Sequence, residues 1–154
     1  MKIAIFIDGV TLFHGLKGKR LEFNKFKEWL SQDDEVVVAK YYNSVESIKT
    51  KTKFFGHVEK SGFEVNLFTP KKDISADRLD ISEMDITLAT DIMESYEQFD
   101  KIIIVSGKRN LYSVCKKLSN LGKKVETVGF VDSIYNKLYN FPVKYVDDFL
   151  ENIT

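Results

Sequence analysis

The chain begins with a continuous run of apolar residues at positions 3–7, which stops at Asp8 and Gly9. Such a run is typical of a central strand in a parallel sheet, because helices cover both of its faces. Further segments rich in apolar and β-branched residues predict strands at 36–42, 63–68, 102–106 and 125–130, and a short edge strand at 142–146. Helical patterns between them predict helices at 25–30, 46–60, 83–96, 111–121 and 134–139, with a closing turn at 148–152.

The alternation of strands and helices predicts an α/β fold, a three-layer α/β/α sandwich around a mostly parallel central sheet. The sequence contains no linker rich in Pro, Gly or Ser and no internal repeat, so we expect residues 1–154 to form a single domain. One long polar connection, at 69–81, precedes the helix predicted at 83–96. We expect this connection to form a mobile flap over a site.

The composition limits the class of protein. Hydrophobic residues make up 44% of the chain and charged residues 30%, which is typical of a globular protein. No apolar run approaches the roughly 20 residues that cross a bilayer, so we expect no membrane association. The chain starts directly in a strand without a signal-peptide pattern, and its single cysteine, Cys115, suits a reducing compartment. We therefore expect a cytoplasmic protein.

The net charge is zero, which argues against a globally basic nucleic-acid binder. The charge is nevertheless uneven along the chain. Residues 73–100 carry nine acidic residues and one basic residue, whereas residues 101–154 carry nine basic and five acidic residues. This pattern is compatible with a metal site beside a phosphate-binding rim, although a solvated acidic loop and helix face are the simpler explanation.

Asp8 lies where the first predicted strand reaches its carboxyl end. Open α/β sheets place their ligands at this edge. A carboxylate in this position can be partly desolvated and still reach a substrate or a metal ion. Asp8 is therefore the first candidate for a functional residue.

Asp85 is a second candidate carboxylate, in the first turn of the helix predicted at 83–96. With Ser82 it resembles a capping box, in which Asp85 satisfies free backbone amides. Asp85 also falls on the apolar stripe that faces the sheet, where a carboxylate needs a metal ion or a cation as its partner. Both interpretations stay open. Asp91 lies off that stripe and is a weaker candidate.

Two cations, Lys108 and Arg109, follow the strand predicted at 102–106. They lie between Gly107 and Asn110. Cations beside the free amides of a helix N-terminus would form a site for phosphate. The alternative is that Lys108 pairs with a neighbouring carboxylate such as Asp8 in a neutral structural contact.

Four segments that occur in order along the chain carry a family resemblance. They are IDGVTLF at 7–13, MDITLATD at 84–91, FDKIIIVSG at 99–107 and GKKVETVGF at 122–130. Together they resemble the NYN domains, the LabA-like branch of the PIN-like nucleases. This resemblance implies a PIN-like α/β/α sandwich with acidic residues at the strand ends, which bind Mg²⁺ or Mn²⁺ and cleave RNA.

The resemblance also implies roles for individual residues. Asp8 and Asp85 match metal ligands, and Asp91 matches an acidic position that supports the ion or orients water. We add Lys108 and Asn110 as catalytic candidates, and Thr11, Ser106, Lys108 and Arg109 as substrate-binding candidates, from their positions in these segments or just after them. The chain departs from the family pattern where Lys108 and Asn110 replace two aspartates, Thr11 replaces asparagine and Leu111 replaces an aromatic residue.

These departures leave two hypotheses. Two unit charges about 4 Å apart interact by about 4 kcal/mol at an effective dielectric constant of about 20. A lysine in place of an aspartate exchanges an attraction for a repulsion of this size and so disfavours a second metal ion. In the first hypothesis the protein is a metal-dependent ribonuclease, in which Asp8 and Asp85 hold one Mg²⁺ or Mn²⁺. In the second it is a pseudo-nuclease that binds RNA or a protein partner, including a second copy in a homo-dimer. Lys108 then neutralises the two carboxylates.

Overall fold

The computed structural model of the chain describes residues 1–45, 52–69 and 82–151. The strands are β1 (Lys2–Asp8), β2 (Glu35–Ser44), β3 (Glu64–Phe68), β4 (Lys101–Val105), β5 (Lys124–Gly129) and β6 (Val143–Tyr145). The helices are α1 (Gly9–Leu16), α2 (Phe23–Ser31), α3 (Thr52–Lys60), α4 (Glu83–Ser95), α5 (Tyr112–Asn120) and α6 (Val146–Glu151). Short 3₁₀ turns occur at Tyr96–Gln98, Arg109–Leu111 and Asn136–Asn140.

The six strands form one parallel sheet in the order β3-β2-β1-β4-β5-β6, which confirms the predicted α/β fold. From β1 the chain builds one half of the sheet through β2 and β3, and β4 to β6 build the other half. The strand order therefore reverses between β1 and β4. In open parallel sheets this is where ligands bind, outside the carboxyl ends of the strands.

Two hydrophobic cores lie on the two faces of the sheet. Side chains of β1 alternate between them, since Ile3, Ile5 and Ile7 face α1, α2, α3 and α6, whereas Ala4 and Phe6 face α4 and α5. Both faces are covered, which explains why the first strand is apolar without interruption. Asp8 continues the alternation of Ala4 and Phe6 and so lies on the α4 side of the sheet.

Several predicted elements differ from the observed ones. The helix α1 starts directly after β1 and was missed by the sequence analysis. The helix predicted at 134–139 is wrong, because this segment forms a 3₁₀ turn at Asn136–Asn140. A short segment that runs into Pro142 gains too few hydrogen bonds to nucleate an α-helix. Of the flap predicted at 69–81, positions 70–81 lie outside the described residues, and so do positions 46–51 of the helix predicted at 46–60.

Within the described ranges, no helix is both long enough and apolar enough to cross a membrane.

Candidate functional site

Asp8 ends β1 at the point where the strand order reverses, and it is completely buried. It is also the N-cap of α1, and its Oδ1 accepts hydrogen bonds from the backbone amides of Val10 at 3.1 Å and Thr11 at 3.2 Å. Its Oδ2 accepts from the Ser106 hydroxyl at 3.2 Å and lies 3.0 Å from the Lys108 ammonium. A carboxylate has about four lone-pair sites, so donors of this chain already occupy the acceptor positions of Asp8.

Asp85 lies in the first turn of α4, with 7% of its surface exposed. Ser82 caps this helix, because its hydroxyl accepts a hydrogen bond from the Asp85 amide at 3.1 Å. The helix dipole favours a carboxylate at this end. The carboxylate lies on the buried face, where its Oδ1 accepts a hydrogen bond from Lys108 Nζ at 3.1 Å. Ser82 therefore caps the helix, whereas the Asp85 carboxylate contacts a cation on the buried face, as the second interpretation expects.

Lys108 bridges the two carboxylates from the loop that follows β4. Its backbone amide donates to the Ser106 hydroxyl at 3.3 Å, and 27% of its side chain is exposed. Burial alone lowers the pKa of Lys108, but the charges and hydrogen bonds of Asp8 and Asp85 raise this pKa above its ordinary value. The lysine is therefore charged at neutral pH. Its contribution to stability is lost only when the pH rises through that elevated pKa, in the alkaline range.

In this arrangement the residues do not fit a divalent metal ion. The acceptor positions of Asp8 are in use, and the Lys108 ammonium lies between Asp8 and Asp85, where a shared ion would have to be. In the part of the chain that the structure describes, no group of three or more His, Cys, Asp or Glu side chains could hold a metal ion. Ligation of Mg²⁺ or Mn²⁺ by the two carboxylates would first require Lys108 to move away.

Asp91 is not brought into this cluster. It is half-buried further along α4 and accepts a hydrogen bond of 2.6 Å from the hydroxyl of the fully buried Tyr42. Burial raises the pKa of Tyr42, and the hydrogen bond to Asp91 and its charge raise this pKa further. The tyrosine therefore stays protonated and holds the carboxylate. The contact gives Asp91 a structural role in joining α4 to β2.

The predicted substrate-binding residues fall into two groups. Thr11 and Ser106 engage Asp8, since the Thr11 hydroxyl donates to the Asp8 carbonyl at 3.1 Å and Ser106 donates to its carboxylate. Arg109 lies exposed at the surface in the 3₁₀ turn before α5, and so does Asn110, which was predicted to be catalytic. Thr11 and Ser106 therefore lie with Asp8 behind Lys108. Arg109 and Asn110 lie at the solvent-exposed edge of the site, which is its rim.

Aromatic side chains next to this rim were not recognised in the sequence. The Arg109 guanidinium lies 5.9 Å from the centre of the Tyr135 ring, and Lys137 lies 5.7 Å from the centre of the Tyr112 ring. The two tyrosine rings meet edge to face at 6.3 Å. Cation–π contacts of this kind fix the direction of the long basic side chains. Each of these contacts joins residues more than twenty positions apart in the chain, so no local spacing in the sequence predicts it.

A cavity of about 360 Å³ opens beside Lys108, on the α1 side of the sheet. Its walls are α1, the carboxyl ends of β4 and β5, the loop after β5 and the first residue of α6. The sequence analysis missed it, because its lining comes from segments that are far apart in the chain. Thr11, Ser106 and Lys108 line the cavity and connect it to the acidic pair.

Replacing Gly9 with alanine should destabilise the protein by about 1–3 kcal/mol, because there is no space for a side chain. A Cβ atom at Gly9 would collide with the Tyr41 ring and lie 2.6 Å from the Tyr42 carbonyl oxygen. Urea denaturation measures the change in the free energy of unfolding.

The matched control is Gly56→Ala in α3, where a Cβ atom would meet nothing within 4 Å. This change should stabilise the helix by about 0.5–1 kcal/mol. Equal effects of the two substitutions would contradict the close approach at Gly9.

Comparison with known proteins gives a family and a structural relative. The NYN domain family matches residues 2–149. A solved protein of unknown function from Vibrio parahaemolyticus RIMD 2210633 is 25% identical with a TM-score of 0.77, over 96% of this chain and 93% of that one. Homoserine dehydrogenase of S. aureus reaches a TM-score of 0.40 at 14% identity, over 94% of this chain and 32% of that one. This weak likeness supports no conclusion. No curated protein sequence matches.

Proposed function

The chain belongs to the NYN domain family, and from this membership we propose that it binds RNA at a site closed by Lys108, without metal-dependent cleavage. The family lies within the PIN-like nuclease superfamily, whose members generally act on RNA. In this proposal the lysine replaces a metal ion as the positive charge between the carboxylates.

The observation that carries the proposal is the position of the Lys108 ammonium, 3.0 Å from Asp8 and 3.1 Å from Asp85. Two adjacent carboxylates without a cation would repel an RNA phosphate. The ammonium reduces this charge and presents a positive group at the mouth of the site. An ammonium has three N–H donors, so two hydrogen bonds to the carboxylates leave a third for a phosphate oxygen.

Binding then depends on basic residues at the rim. Arg109 and Lys17 are both exposed, and Lys17 lines the cavity beside Lys108. Contacts of these residues with the phosphate backbone position an RNA strand without reading its sequence. Each such contact releases a counterion, so affinity should fall as the salt concentration rises.

A second candidate function is metal-dependent RNA hydrolysis, and the partial exposure of Lys108 favours it. The lysine side chain is 27% exposed, whereas the Asp8 side chain is fully buried, so Lys108 is the member of this ion pair that solvent reaches. A Lys108 side chain that turns outward would leave Asp8 and Asp85 to hold one Mg²⁺ or Mn²⁺. The ion would supply charge stabilisation for phosphodiester cleavage when bound.

RNA binding should be independent of divalent metal. Fluorescence anisotropy with a labelled single-stranded RNA of mixed sequence should give the same affinity, within about twofold, in EDTA and in Mg²⁺ at equal ionic strength. The RNA should remain intact after incubation. Arg109→Ala should weaken binding and lower the salt slope by about one unit, whereas Lys116→Ala on the exposed side of α5 should change neither.

Two results would contradict this proposal. Cleavage of RNA in Mn²⁺ or Mg²⁺ that Asp8→Asn abolishes would establish the second candidate function. The absence of RNA binding in both conditions would overturn an RNA-directed role.

A further inference from the structure

We propose that the cavity beside Lys108 binds a single nucleotide, with its base inside the cavity and its phosphate against Lys108 and Lys17. The proposal rests on the proposed RNA binding only for the source of the nucleotide, which is either a residue of an RNA strand or a free nucleotide. The cavity itself is a separate structural feature from the acidic pair.

The size and walls of the cavity suit a flat heterocyclic ring. Its volume of about 360 Å³ lies at the lower end of the range of about 300–1,000 Å³ for small-molecule sites. Apolar side chains line its interior, including Leu12, Val105 and Val128. A nucleobase has apolar faces and polar edges, so it can fill such a space while its edges reach the polar mouth.

The cavity lies where this topology predicts ligand binding. The helix α1 follows β1 and packs on one face of the sheet, whereas α5 follows β4 and packs on the other. The connections after these two neighbouring strands therefore separate and leave a crevice at their carboxyl ends. The cavity occupies this crevice, between α1 and the loop of Ser106, Gly107 and Lys108.

Close backbone contacts fix the far wall of the cavity. The Tyr135 amide donates to the Gly107 carbonyl at 3.0 Å, and the Ser133 amide donates to the Phe130 carbonyl at 3.1 Å. A Cβ atom at Gly107 would collide with the Ser133 carbonyl oxygen, so glycine is what allows the two loops to meet. A preformed wall avoids the entropic cost of ordering a loop when a ligand binds.

The polar residues at the mouth match the polar groups of a nucleotide. Lys17 and Lys108 both line the cavity and are cations suited to a phosphate, and the Lys108 ammonium has one N–H beyond the two that its carboxylate contacts use. Asp132 and Ser133 are exposed at the same mouth and offer acceptors for the N–H groups of a base or the hydroxyls of a ribose. The pairing of cations with acceptors distinguishes a nucleotide from a simple anion.

Binding is tested on the full chain with the four 5′-mononucleotides, by chemical-shift perturbation and calorimetry. At least one mononucleotide should bind with a dissociation constant of about 1 mM or lower and shift the resonances of cavity residues. The unphosphorylated nucleoside and inorganic phosphate should each bind more weakly. Ser133→Trp should fill the mouth and abolish binding, and Lys17→Ala should weaken it about fivefold.

Ser119→Trp and Lys116→Ala on α5 are the matched controls, since both positions are exposed and lie outside the cavity lining. They should leave nucleotide binding unchanged. Equal effects of Ser133→Trp and Ser119→Trp would overturn the assignment to this cavity. The absence of binding by all four mononucleotides, together with unchanged RNA affinity in Ser133→Trp, would overturn the proposal. RNA binding without metal would then still stand.

The source of the nucleotide is decided by RNA affinity in the same variants. A loss of RNA affinity in Ser133→Trp and Lys17→Ala, but not in their controls, supports a nucleotide of the RNA strand as the occupant. Mononucleotide binding with unchanged RNA affinity in Ser133→Trp supports a free nucleotide instead.

Discussion

Replacing Lys108 with alanine should lower the free energy of unfolding by about 3 kcal/mol, because it leaves Asp8 charged without its cation in a fully buried position. Removing one partner of a buried ion pair costs about 3–5 kcal/mol, and the lower end applies since Lys108 is 27% exposed. This is a large part of the total stability of about 5–15 kcal/mol for a domain of this kind. Urea denaturation at neutral pH measures the change.

The control experiment separates the charge from the packing of the lysine side chain. The double variant Asp8→Asn/Lys108→Met removes the Asp8 and Lys108 charges and keeps similar volumes, but it leaves Asp85 without its cation. It should therefore recover part of the stability lost in Lys108→Ala. Lys116→Ala, at an exposed position on α5, should change stability by less than about 0.5 kcal/mol. A loss in Lys108→Ala no larger than this surface control would show that the bridge contributes nothing measurable.

The central sheet was predictable because its strands are buried on both faces. The unbroken apolar runs at 3–7 and 102–105 lie within β1 and β4, which pair in parallel with Ile7 opposite Val105. A half-exposed strand would alternate, so an unbroken run carries information about both layers of helices. The edges were less visible, since β6 has three residues and its pattern hardly differs from that of a loop.

The helix α1 could not be predicted from the pattern, because Asp8 serves two elements. It is both the last residue of β1 and the N-cap of α1, so no polar connection separates the strand from the helix. The residue type itself did indicate a helix start, because aspartate is one of the preferred N-cap residues. The sequence analysis assigned this aspartate to chemistry alone.

The partner of Lys108 was left open by the sequence, since phosphate and Asp8 are both plausible for a cation at this edge. The pairing of β1 with β4 decides it, because it brings residues 8 and 108 together over a separation of one hundred positions. Asp85, in the first turn of α4, is the second carboxylate that Lys108 contacts. A contact between residues so far apart in the chain depends on the register of the paired strands, and the local spacing of residues in the sequence does not predict it.

Replacing Lys108 with aspartate should create a cation site at the end of the sheet. The new carboxylate joins Asp8 and Asp85, so three acidic groups without an ammonium meet at one point. In EDTA the variant should be less stable than the wild type, because the like charges repel each other. Mn²⁺ or Mg²⁺ at about one hundred times the dissociation constant should restore about 2.7 kcal/mol, and thermal unfolding with a metal titration measures this gain.

Wild-type protein and Lys108→Asn show whether the carboxylate is needed for this effect. The wild type should gain little stability from the metal, because its ammonium holds the two carboxylates. Lys108→Asn removes the ammonium and adds a neutral amide oxygen in place of a carboxylate, so it should gain less than Lys108→Asp. Equal stabilisation of wild type and Lys108→Asp would mean that the lysine does not exclude the ion. RNA cleavage gained by Lys108→Asp/Asn110→Asp would mark the site as a nuclease centre in which two aspartates have been lost.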